Sequence, residues 1–239
     1  MLQTVLFMVV LGVAFTVQAI TGLGGPLIAM PLGIALVGVE TAKPVITLLG
    51  WATALFTTIP IVRHINVREL LKITGVMLAF VLAGIWLFDS LNMDFLLVFY
   101  GIIIILIGAR RLFFPTDRKM PGWLKWVFLC AAGLMQGMFV SGGSFLTVYA
   151  ASQLEEKQTF RATVSCVWVI LNIFMIVSNL RDGSFTPPVV STVLWGIIPT
   201  VAATVLGTLI AKKLNRDTFI KLTYVILLIC GTVLLISNI

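Results

Sequence analysis

Apolar residues gather into ten stretches, at about 5–20, 26–38, 44–62, 70–88 and 95–109, and then at about 126–140, 144–154, 162–180, 189–211 and 217–237. A helix needs about 20 residues to cross a bilayer. With allowance for frayed ends, six stretches (44–62, 70–88, 95–109, 162–180, 189–211 and 217–237) predict full crossings. The other four form two pairs of shorter pieces. One pair is broken at "TGLGGPLIAMPL" (21–32) and the other at "FVSGGS" (139–144). Glycine and proline punctuate helices, so both breaks predict interruptions at membrane depth.

The two breaks belong to a repeat. At an offset of 118, Gln18 matches Gln136, Gly24 and Gly25 match Gly142 and Gly143, Leu36 matches Leu154 and Thr41 matches Thr159. Lys43 meets Arg161, and Arg63 meets Arg181. Past a five-residue insertion near "GSFTPP" the offset becomes 123, where Gly84 meets Gly207, "LNMD" (91–94) meets "LNRD" (214–217) and Gly108 meets Gly231. Leu and Ile matches are cheap in such a chain, whereas aligned Gly-Gly, Gln, Asn-x-Asp and basic positions are not. The chain therefore divides into a first repeat, 1–115 (hairpin 5–38, spans 44–62, 70–88 and 95–109), and a second, 126–239 (hairpin 126–154, spans 162–180, 189–211 and 217–237). A polar linker at 116–125 joins them.

Charge orients the halves. If 5–38 were one crossing, the halves would be parallel and the 16 Lys and Arg would divide 9 to 7. If each broken pair goes in and comes back, the second half is inverted and the division becomes 14 to 2, with only Lys43 and Arg181 outside. The positive-inside rule selects the inverted arrangement, with a cytoplasmic linker and both termini outside. Arm length agrees. Residues 26–38 make about 20 Å of helix and 144–154 less, against about 30 Å of hydrocarbon, so the arms reach halfway. The expected fold is an all-α polytopic membrane protein with two inverted repeats, each a re-entrant hairpin plus three transmembrane helices.

Paired breaks in inverted repeats point to a transport site near the midplane. Glycine permits the tight reversal, Pro26 suits the first turn of a returning half-helix, and each half-helix turns its N-terminus and unpaired N–H groups toward the centre. That suits an anion. Candidate substrate-binding residues are Gln18, Thr21, Gly24, Gly25, Gln136, Ser141, Gly142, Gly143 and Ser144, the glycines by letting substrate oxygens near the backbone. The plainer alternative is that the glycines allow close packing and the polar groups cap broken helices. Lys43, Arg63, Arg161 and Arg181 are candidate pathway mouths, where positive charge raises the local anion concentration; the alternative is pairing of Lys43 with Glu40 and of Arg181 with Asp182.

Composition supports the membrane assignment: 60% of the 239 residues are hydrophobic and 10% charged, with a mean hydropathy of +1.13. The net charge of +7 lies in short loops and reports orientation rather than nucleic-acid binding. "MLQTVLFMVVLGVAF" lacks the basic start and cleavage pattern of a signal peptide. Cys130, Cys166 and Cys230 have no metal-like spacing, and no metal or other cofactor is expected. The nine carboxylates fall in loops or at segment ends and the one histidine, His64, sits in "IVRHINVREL", so an enzyme would have no catalytic group at membrane depth. The lack of a buried acid also argues against proton coupling. Facilitated efflux suffices, because an interior-negative potential drives each negative charge outward with about 2.3 kcal/mol per 100 mV.

"TGLGGPLIAMPL" and "VSGGSFLTVY", in a chain of this length and hydrophobicity, resemble the sulfite exporter TauE/SafE family of membrane anion permeases. The resemblance covers nearly the whole chain. Pro26 and Ser144 stand where the commoner family motif has a further glycine. It implies export of sulfite, a sulfonate or a related sulfur-containing organic anion across the bacterial cytoplasmic membrane, with the anion and the lipid bilayer as partners and a homo-oligomer as a further option. The residues themselves leave open an uptake permease coupled to an ion, or a non-transporting membrane assembly factor.

Overall fold

A computed structural model of the chain describes residues 2–21, 25–91, 93–113, 121–154 and 156–210, together with Leu228 and Thr232. Among them there are nine α-helices and no strands: α1 (Leu2–Thr21), α2 (Gly25–Val37), α3 (Val39–Thr58), α4 (Val67–Ser90), α5 (Met93–Phe113), α6 (Gly122–Phe139), α7 (Gly143–Ala151), α8 (Lys157–Arg181) and α9 (Pro187–Ile210). A short 3-10 segment, Ile59–His64, follows α3. Five of the described helical segments are long and apolar enough to cross a membrane: Leu2–Ile20, Val39–His64, Val67–Ser90, Gln158–Arg181 and Pro187–Ile210. They expose large apolar side chains such as Leu6, Val9, Leu82, Trp86, Leu194, Trp195, Ile198 and Val205. In water such a surface would drive association; against lipid it is solvated. This is a multi-pass membrane protein.

Both breaks are present, but their arms are unequal. The 20 residues of α1 make about 30 Å of helix, and the 18 of α6 about 27 Å. The returning α2 has 13 residues and α7 has nine, about 20 and 14 Å. The returning arms, which correspond to the stretches 26–38 and 144–154, are the short ones, and the entering arms are longer. The entering arms exceed their apolar stretches because α1 starts at Leu2 and α6 takes in residues 122–125 of the predicted linker. Residues 116–120 of that linker and most of the predicted span 217–237 lie outside the described residues.

The helix α3 differs from the apolar stretch expected from about residue 44. The helix begins at Val39 instead, after Gly38 at φ +78°, a left-handed conformation that glycine adopts without strain. Lys43 thereby moves from a loop into the helix. At the start of α4, Asn66 Oδ1 accepts the Glu69 N–H at 3.1 Å, a capping bond that fixes where the helix begins.

Two apolar cores form, the first of them also taking in Met135, Met138 and Phe139 of α6. Phe7, Leu11, Phe15, Ile28, Met30 and Ile46 pack around α1 and α2, while Met77, Leu129, Leu146, Val164, Leu171 and Met175 pack around α6 and α7. The long arms dock on distant segments: α1 lies along α9, α6 along α4, and α3 packs on α8. Matching glycines make the first two seams close. A Cβ at Gly84 would stand 2.4 Å from the Leu134 carbonyl, and one at Gly207 would stand 2.6 Å from the Thr16 carbonyl. Gly84 and Gly207 are repeat counterparts, and so are Thr16 and Leu134.

Candidate functional site

The two hairpin tips meet. Gln18 of α1 and the first turn of α2 (Pro26, Leu27) form one wall of a small cavity. Gln136 of α6, the tip residues Val140 and Ser141, and Gly143 of α7 form the opposite wall, and Trp168 and Asn172 of α8 close it. The N-terminal turns of both returning helices thus face one space, from which positive dipole ends and N–H groups look inward. The space measures about 20 Å³, room for about one water. In this conformation the tips are closed to an oxyanion.

The second tip turns by an unexpected route. Val140 adopts the left-handed conformation (φ 56°, ψ 22°), which is uncommon for a β-branched residue. Its N–H donates to the Gln136 carbonyl at 3.0 Å, and that of Ser141 to the Met135 carbonyl at 3.3 Å. Gly142 is ordinary right-handed backbone (φ −63°, ψ −9°). Its missing side chain serves packing, because a Cβ there would stand 2.2 Å from the Ala132 carbonyl. Gly25 does the same in the first hairpin, where a Cβ would meet Gln18 Oε1 at 2.4 Å and the Ala14 carbonyl at 3.0 Å. Ala14 and Ala132 are repeat counterparts. The open faces of Gly25 and Gly142 are therefore filled by their own hairpin arms. Gly24 and the side chain of Thr21 lie outside the described residues.

The two glutamines make different bonds. Gln18, 4% exposed, donates from Nε2 to the Gly50 carbonyl at 3.2 Å, and its Oε1 has no partner. Gln136 donates to Asn172 Oδ1 at 2.8 Å and accepts the Gly142 N–H at 3.2 Å. That tie holds the Asn172 oxygen on Gln136 and leaves its amide N–H2 as the donor edge. Ser141 and Ser144 are buried, and both hydroxyls lack a partner. Most buried polar groups are bonded. Thr47, Thr53, Thr57 and Thr58 on α3 satisfy theirs on carbonyls one turn back, whereas the two serine hydroxyls, like those of Thr74 and Thr200, have no protein partner. Asn172 and Trp168 escape the sequence reading. The signal was a lone carboxamide inside the apolar "VILNIFM", without a repeat counterpart because position 54 is Ala.

The four basic residues divide by depth. Arg63 and Arg181 are exposed at segment ends. Lys43 is buried, its ammonium 3.4 Å from the centre of the Phe88 ring. Arg161 is half-buried, donates from Nη2 to the Ala19 carbonyl at the end of α1, and has an unpaired Nε. Neither the Lys43–Glu40 nor the Arg181–Asp182 ion pair is formed. The ion pair found among the described residues is Lys72 with Glu69, at 2.7 Å; Glu69 also accepts from the Tyr149 hydroxyl at 3.4 Å, fastening α7 to α4.

Searches of curated proteins and of solved structures return no match to this chain. The profile of a family described as Sulfite exporter TauE/SafE does match, over residues 6–234. Because that match runs from the first helix into the last predicted span of a multi-pass membrane protein, the chain belongs to the sulfite exporter TauE/SafE family, a family of membrane transporters of small anions.

Proposed function

We propose that the protein exports sulfite, a sulfonate or a related sulfur-containing anion from the cytoplasm, binding it near the membrane midplane between the two hairpin tips. The observation that carries this reading is the cavity wall. It presents Ser141, Asn172 and Gln136 beside two helix N-termini, and no carboxylate. A cation would be held by carboxylates and carbonyls; hydroxyl and amide donors at positive dipole ends suit an oxyanion. Gln18, Gly143 and the buried Ser144 complete the proposed site. An inverted relation between the repeats is supported by the two matched seams, Gly84 on Leu134 and Gly207 on Thr16. The charge division of 14 to 2 supports a cytoplasmic linker and outward termini.

The test is flux from proteoliposomes loaded with sulfite, a sulfonate, a carboxylate or phosphate. Protein-dependent sulfite or sulfonate efflux is expected, reduced by Ser141→Ala together with Asn172→Leu. Absence of protein-dependent flux for all four anions refutes the reading. Orientation is tested separately with cysteines placed at Thr116 and Asn238 in a background lacking Cys130, Cys166 and Cys230. Labelling from opposite faces is expected, and labelling from one face overturns the inverted arrangement.

A further inference from the structure

Lys43 and Arg161 do not line this cavity themselves but touch residues that lead to its walls, and neither has a carboxylate at ion-pair distance among the described residues. Lys43 is only 8% exposed. The carboxylates that act on it, Asp89 and Asp182, are both exposed and lie beyond ion-pair distance. A cation buried without a counter-charge is costly, so such groups normally pair. Here each leans on a neutral, electron-rich neighbour. The Lys43 ammonium sits over the Phe88 ring, and Phe88 meets Phe139 edge-on with centroids 5.8 Å apart. Phe139 is the last residue of α6 and adjoins Val140 on the cavity wall. The Arg161 guanidinium holds the Ala19 carbonyl, and Ala19 adjoins Gln18 on the opposite wall.

These positions are counterparts at the 118-residue offset; Arg161 meets the C-terminal end of α1, the long arm of the other repeat, directly, whereas Lys43 is linked to the last residue of α6 through the Phe88 ring. At the end of α1 the negative end of the helix dipole gives Arg161 partial compensation, and the Phe88 ring face does so for Lys43. A charged oxyanion is a stronger partner than a carbonyl or a ring, and a guanidinium can take two of its oxygens at once. We propose that Lys43 and Arg161 are the two counter-charges of the transported anion, one from each repeat, closing the cavity on opposite sides and exchanging Phe88 and Ala19 for the anion's oxygens. The inference rests on the anion reading above. It also separates these two residues from Arg63 and Arg181, which are exposed and can act only through the screened field in solvent.

The experiment is sulfite efflux from proteoliposomes by the full-length chain and by Lys43→Gln, Arg161→Gln, Lys43→Arg and Arg161→Lys. Flux is measured at ionic strengths of about 0.01 M and 1 M, between which the Debye length falls from about 30 to 3 Å. Both Gln variants are expected to raise KM about 30-fold or more, as for loss of one partner of a buried charged pair, at both ionic strengths. The charge-retaining variants should recover most of that loss. Unchanged KM, or a defect that disappears at high salt, overturns the proposal, the latter because it is the behaviour of a surface steering charge. Phe88→Leu provides a test should the Gln variants not fold. Freed from the ring, Lys43 should bind sulfite with a KM about 3-fold lower, and an equal or higher KM overturns its part. A parent protein that moves no anion overturns the anion reading and this inference together; a parent that moves sulfite with both Gln variants unaltered overturns this inference alone.

Discussion

Replacing Gly84 by Ala places one methyl group in the seam between α4 and α6. The new Cβ would stand 2.4 Å from the Leu134 carbonyl oxygen and 3.2 Å from the Gly137 Cα. Cβ contacts below 3.0 Å are essentially never seen, so the helices must separate locally by at least about 0.6 Å, and no flexible side chain can yield in their place. Overpacking of this kind costs about 1–3 kcal/mol. Gly207→Ala, at 2.6 Å from the Thr16 carbonyl, requires about 0.4 Å and belongs in the same range. Gly75, on the same α4, supplies the control. A Cβ there meets nothing within 4 Å, so Gly75→Ala should stabilise by about 0.5–1 kcal/mol through helix propensity alone. Reversible SDS-titrated unfolding in mixed micelles, followed by helical CD, measures all three. The expected order is Gly75→Ala above the parent, with Gly84→Ala and Gly207→Ala both below it and within about 1 kcal/mol of each other. If Gly84→Ala is as stable as Gly75→Ala, the close seam is refuted. If only one seam residue is sensitive, the reciprocal docking is refuted.

Gln136→Leu leaves Asn172 Oδ1 and the Gly142 N–H unpaired and should cost about 2 kcal/mol by the same unfolding measurement; a cost below about 0.5 kcal/mol would show that the tie contributes little. Val140→Gly should stabilise by about 0.5–1 kcal/mol, because glycine adopts φ near +56° without the left-handed penalty, and a loss would refute the strain assigned to that tip. Arg63→Gln and Arg181→Gln should slow sulfite flux at low ionic strength and match the parent at high salt. Equal flux at low salt would make them ordinary loop residues.

The breaks themselves were legible because glycine and proline interrupt otherwise uniform apolar runs, and the pairing of Gln18 with Gln136 was legible because a carboxamide recurring at one offset stands out. What escaped depends on tertiary packing. The apolar stretch begins at about residue 44, yet left-handed Gly38 lets α3 begin five residues earlier and carries Lys43 inside. The tight turn seemed the work of Gly142, yet Val140 makes it and Gly142 admits the neighbouring arm. Asn172 has Ala54 opposite it in the repeat, so a search for symmetric polar positions passes over it. Matches at a fixed offset find the positions the two halves share, while Asn172 reaches the cavity without such a match.

The docking of α1 on α9 has a consequence for biosynthesis. About 190 residues separate Thr16 from Gly207, and at a synthesis rate of about 5–20 residues per second roughly 10–40 s pass before the partner of the first helix exists. During that interval α1 must wait in the bilayer without the seam that finally holds it, while α6 finds α4 already made. The two seams therefore form at different times although a glycine closes each of them. Cutting the chain in the linker should leave an N-terminal fragment that is assembled only when the C-terminal fragment is co-expressed.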